Sequence, residues 1–88
     1  MNGAKKGVVI MANNKPKKYV AIIKIANNPD GSAHCVKYRF NEIMKFMPFL
    51  DSKYKDWRWM NVYKNVSPDK GRFLKNFTKN KRPVKNEL

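Results

Sequence analysis

Apolar side chains occupy every second position from Tyr19 to Ile25. Tyr19, Ala21, Ile23 and Ile25 alternate with Val20, Ile22 and Lys24. A two-residue period places alternate side chains on opposite faces of a pleated chain, so the stretch predicts a strand over 17–27 with its odd face apolar. Asn28–Ser32, reading NPDGS, comes next. Proline presets one dihedral and glycine permits positive φ, which is turn chemistry. In Ala33–Phe40 the alternation returns, with His34, Val36, Tyr38 and Phe40 on one face and Cys35, Lys37 and Arg39 on the other. Two alternating runs flanking such a turn predict a β-hairpin.

The period lengthens after Phe40. Ile43, Phe46, Met47 and Leu50 fall at helical spacing, with Asn41 as a candidate N-cap and Glu42 where a carboxylate suits the helix dipole. Pro48 lacks an amide hydrogen and clashes one turn back, which predicts a kink or break near Met47. KYKDWRWMNVYKN, residues 53–65, alternates again and predicts a third strand over 57–64. Ser67, Pro68 and Asp69 then read as a helix start, and Phe73, Leu74 and Phe77 as the apolar stripe of a short last helix.

The predicted fold is α+β: a small three-stranded antiparallel sheet in β-β-α-β-α order, packed on one helix, with a short C-terminal helix and basic flexible ends. Its expected divisions are a basic arm over 1–16, one domain over 17–78 and a basic tail over 79–88. Three short strands need a covering layer, and Ile43, Phe46, Met47, Phe49 and Leu50 offer one.

The parity of the third strand decides the character of the remaining face. With odd residues inward, Trp57, Trp59 and Tyr63 join the core. The outer face is then a rim of Lys18, Lys24, Lys37, Arg39, Arg58 and Lys64 around Val20, Ile22, Cys35, Met60 and Val62. With odd residues outward, the aromatics form a platform on the basic face, where each stacked base is worth roughly 1–3 kcal/mol. The inward parity is the expectation for Trp59. Trp57 and Tyr63, nearer the strand ends, stay open between core and stacking roles.

Composition adds a partner to this picture. The chain of 88 residues, 42% apolar, suffices for one small folded domain. Its 20 Lys and Arg against 6 Asp and Glu give a net charge of +14. The charge is +5 over residues 1–18, +4 over 19–66 and +5 over 67–88. Such a field, concentrated at the ends, calls for a polyanion. No apolar run approaches the ~18–20 residues of a membrane span, and GVVIM, residues 7–11, is too short for a signal-peptide core.

Candidate chemistry is sparse. Cys35 is the single cysteine and is expected to be buried; with only His34 beside it, no metal set arises from spacing. Asp30, Glu42, Asp51, Asp56, Asp69 and Glu87 are accounted for by turns, caps and the tail, and no two sit at a spacing that builds an acid/base or metal pair. Neither catalysis, nor a cofactor, nor a small-molecule substrate is expected. The expected function is non-catalytic binding of nucleic acid, RNA or DNA, with weak sequence preference. Its phosphate contacts would come from the arms and the basic sheet face: Lys15, Lys17, Lys18, Lys37, Arg39, Arg58, Lys70, Arg72, Lys75, Lys79, Lys81, Arg82 and Lys85. The alternative is a structural or interaction protein of a larger particle (virion, ribosome-associated or inhibitor), whose arms and apolar patch dock onto protein subunits. The expected location is cytoplasmic, in a bacterial or virus-infected cell, or in a virion.

Overall fold

The structure, a computed structural model, describes residues 16–88. Apart from Pro16, the arm expected over 1–16 lies outside the described residues. The chain forms β1 (Tyr19–Asn27), β2 (Ala33–Phe40), α1 (Ile43–Lys53), β3 (Trp59–Lys64) and β4 (Phe73–Thr78). The strands build one four-stranded antiparallel sheet in the order β2-β1-β3-β4. This corrects the expected three-stranded sheet and its β-β-α-β-α order: the last element is a strand, and α1 is the one α-helix among the described residues.

The reason lies between β3 and β4. Ser67-Pro68-Asp69-Lys70-Gly71 closes a hairpin instead of opening a helix. The Gly71 amide donates to the Lys64 carbonyl and the Lys64 amide to the Arg72 carbonyl, both at 2.8 Å. Gly71 sits at φ +95°, a conformation other residues rarely adopt. Ser-Pro-Asp serves turns as readily as helix starts. The pairing offered by β3 decides between them, because a strand edge satisfies a whole row of backbone groups at once. Phe73, Leu74 and Phe77 mimic helical spacing because the register slips opposite Val62 and Tyr63. Leu74 is the extra residue of this bulge, which turns Phe73 to the face opposite Phe77.

The first hairpin forms as its sequence predicts. The Asp30 carboxylate accepts the Ser32 amide at 2.9 Å and the Ser32 hydroxyl at 2.6 Å, bonds that hold its pKa below the usual carboxylate range. Helix α1 runs through Pro48 without interruption. The carbonyl deprived of its donor belongs to Met44, an exposed residue of the helix. Glu42 rather than Asn41 is the N-cap residue. The Asn41 side chain instead accepts the Lys18 amide at 2.9 Å, tying the helix entry to the start of β1.

One face of the sheet packs on α1. Ala21 and Ile23 of β1, Phe40 of β2, Met60 and Val62 of β3 and Phe77 of β4 are buried with Ile43, Phe46, Met47 and Leu50 of α1. Phe40 and Phe46 stack with ring centroids 4.8 Å apart. Phe49, expected in this layer, leans outward at 41% exposure. Trp57, just before β3, is the largest fully buried side chain.

The C-terminal segment also belongs to this side. Pro83 is buried and Leu88 packs against the core. The Arg82 guanidinium forks onto the Asp51 carboxylate of α1, Lys75 pairs with Glu87, and the Glu87 carboxylate accepts the Val84 amide at 3.0 Å. The tail over 79–88 is therefore a docked strap, not the flexible end expected. Arg82 finds a carboxylate on the folded body, Glu87 finds an ammonium there, and the proline and leucine find apolar cover.

Candidate nucleic-acid interface

Since Met60 and Val62 point into the core, the alternation of β3 sends Trp59, Asn61 and Tyr63 to the other face. The parity is thus the reverse of the one expected for Trp59. Cross-strand register then composes the open face in three rows running from β2 to β4. They are Cys35–Lys24–Trp59–Thr78, Lys37–Ile22–Asn61–Asn76 and Arg39–Val20–Tyr63–Phe73. Among the described residues no helix lies over these rows: α1 and the C-terminal strap both pack on the opposite side.

The face has two halves. The β2 and β1 half carries Lys24, Lys37 and Arg39. The β3 and β4 half carries Trp59, Tyr63 and Phe73. Tyr63 and Phe73 meet edge to face with centroids 5.6 Å apart, and Phe73 is 53% exposed. Between the aromatics, the Asn76 amide donates to the Asn61 side-chain oxygen at 2.7 Å. That bond uses one donor and one lone pair, so the two amides keep further donors and acceptors for a ligand. None of the six acidic residues falls in the three rows.

The residues expected to bind phosphate are distributed unevenly about this face. Lys37 and Arg39 lie on it, and Lys18 precedes β1 with the parity of Val20. Lys64 has the parity of Met60 and so leaves it, pairing with Asp69 at 3.7 Å, while Arg58 is exposed just before β3, outside the paired register, with its amide donating to the Lys24 carbonyl at 2.8 Å. Lys17 and Arg39 line an open hollow of about 380 Å³ beside the α1 entry. Lys70 and Arg72 sit in the β3–β4 turn, where Asp69 lies 3.7 Å from the Arg72 guanidinium. Lys75, Lys79 and Arg82 are engaged on the core side. The Lys79 ammonium donates to the Lys55 carbonyl at 2.6 Å and stands 5.3 Å from the centre of the Trp57 ring. Lys81 is exposed in the turn after β4. Lys85 lines a cleft of about 390 Å³ with Tyr19, Met44 and Leu88. Lys15 lies outside the described residues.

Of the two stacking candidates, Tyr63 is on the open face and Trp57 is not. Trp57 is 1% exposed, and its indole N–H donates to Asp51 at 3.0 Å. Hydrogen bonding to Arg82 chiefly, and to Trp57, keeps the Asp51 pKa below its ordinary value despite partial burial, and the Arg82 pKa is raised in turn. Cys35, expected to be buried, is exposed on edge strand β2. Trp59, Asn61, Phe73 and Asn76 also lie on the open face, beyond the expected set. The signal for them was Asn61 itself, since an asparagine shares the face of Trp59 and Tyr63 while the other parity offers only Met60 and Val62.

Among the described residues no group of three or more His, Cys, Asp and Glu is placed to hold a metal, and no helix is long and apolar enough to cross a membrane. No protein family, curated protein or solved structure matches the chain.

Proposed function

We propose that this chain is a non-catalytic nucleic-acid-binding protein whose open sheet face contacts phosphates. The observation that carries the reading is the concentration of Lys24, Lys37 and Arg39 on a sheet face that holds no acid and no covering element among the described residues. Val20 and Ile22 are half-buried on a face that no described element covers, and a ligand that brings negative charge and flat apolar surface suits it. Binding would be driven by counterion release and would weaken as salt rises.

The test is a salt titration of the full chain against its Lys24→Ala/Lys37→Ala/Arg39→Ala variant. Each phosphate contact contributes about −0.7 to the log–log slope on single strands, so losing all three should flatten it by roughly 2. Equal slopes would move the contact off this face. Met44 and Phe49, exposed on α1 at 45% and 41%, favour a second reading in which α1 docks on a protein subunit. Absence of nucleic-acid binding at low salt, together with a protein partner retained after nuclease treatment and lost on Phe49→Ser, would support it.

A further inference from the structure

The proposed interface is divided, and its division selects a substrate. We infer that the ligand is a single-stranded nucleic acid, its phosphates along the β2/β1 half and its bases on the β3/β4 half. This inference rests on the nucleic-acid reading above. The cations at Lys24, Lys37 and Arg39 occupy successive rows on two adjacent strands, so they form a track parallel to the strands. The aromatics at Trp59, Tyr63 and Phe73 form a second track beside it, one to three strand spacings away, ~5–14 Å. A nucleotide carries its charge at one end and its flat, apolar base at the other. A chain of nucleotides laid along β1 matches both tracks at once.

A duplex does not fit this arrangement. It presents phosphates on its outside and keeps its bases stacked on one another, so the aromatic track would meet no base face. Single strands expose base faces, and stacking on aromatic side chains is the ordinary means of holding them. Trp59 and Tyr63 are four residues apart on one strand, ~13 Å, with Asn61 between them. Two bases stacked on the aromatics would bracket a third position. There the free donors and acceptors of Asn61 and Asn76 reach a base edge, which the aromatics alone would not read.

The two tryptophans make the inference measurable. Trp57 is sealed in the core and Trp59 lies on the open face, so their emission reports different sides of the sheet. The full chain is titrated with a short homopolymeric single strand and with a duplex of equal length, at the same salt. The single strand should bind roughly tenfold tighter or more and quench emission. Trp59→Phe should bind and abolish the quench. Trp59→Leu should weaken single-strand binding by roughly five- to a hundredfold and leave duplex binding unchanged. Equal affinity for both forms, with no quench at Trp59, would overturn the single-strand inference while leaving the nucleic-acid reading standing. No binding of either form would overturn both. A quench retained in Trp59→Phe would place the bases against another surface and overturn the inference.

Discussion

Asp51 joins three parts of the molecule: α1, which carries it; Trp57, whose indole donates to it at 3.0 Å; and the C-terminal strap, whose Arg82 forks onto it. Replacing Asp51 by Ala removes both links. The Arg82 pair is half-exposed, with side-chain exposures of 42% and 37%, so its contribution is that of a surface pair, up to about 1 kcal/mol. The indole is different. Trp57 is buried, and its N–H left without an acceptor costs roughly 1–3 kcal/mol. The expected loss is about 2–3 kcal/mol, a large share of the ~5 kcal/mol of a small domain. Asp51→Asn retains an acceptor for the indole and should cost only about 1 kcal/mol. Acid conditions separate the two links further. The folded pKa of Asp51 lies below its ordinary value, so its charge stabilises the fold above the unfolded pKa of ~3.9 and stops doing so as pH falls through the lower folded value. Urea denaturation at neutral pH and in steps down to strong acid reads both effects. The parent should lose stability over that acid window more steeply than Asp51→Asn. Equal costs for the Ala and Asn variants at neutral pH, or identical acid profiles for parent and Asn variant, would refute the assignment of Asp51 as the joint acceptor.

Trp57→Ala should destabilise by roughly 3–5 kcal/mol and unfold much of the population, while Trp59→Ala, on the open face, should cost no more than about 1 kcal/mol; the same denaturation curves decide. Trypsin should cut slowly after Lys81 and Lys85 in the parent and faster in Arg82→Ala, which loosens the strap. Cys35 should react with a thiol reagent in the native protein without denaturant, and single-stranded nucleic acid should slow that labelling, since Cys35 ends the row that contains Lys24 and Trp59.

The first hairpin and the buried stripe of α1 were legible because each had one period and one interpretation. NPDGS between two alternating runs admits little else, and Ile43, Phe46, Met47 and Leu50 are the residues α1 buries. In the third strand size and polarity point to opposite parities, and polarity decides. Tryptophan and tyrosine have the area to fill a small core, but that parity also buries Asn61, and an amide without partners costs more than the extra apolar area of the aromatics returns. Met60 and Val62 fill the space under the helix without any polar atom. The fourth strand was hidden by its bulge. One extra residue at Leu74 turned an alternating pattern into apparent helical spacing, and the turn before it used helix-start residues. The outward charge of the tail was legible as composition, but its docking was not. Nothing local in Lys79–Lys85 shows that Asp51, some thirty residues upstream, is its partner.

The strand order β2-β1-β3-β4 has a consequence for how the molecule assembles. Each outer strand pairs with a neighbour only a short turn away, so each hairpin closes a small loop and needs little chain entropy. The two hairpins meet along one seam, β1 against β3, where Tyr19 faces Lys64 and the intervening chain includes all of β2 and α1. That seam holds the nonlocal cost of the sheet, so formation of β1–β3 contacts should set the folding rate. Substitutions at Ala21, Ile23, Met60 or Val62 should slow refolding, whereas changes at the two turns should mainly speed unfolding. The same seam runs between the basic track and the aromatic track. A ligand that spans both would clamp the two hairpins together, so binding and late folding would draw on a single set of contacts, and a bound strand should slow opening of the seam more than fraying of either hairpin.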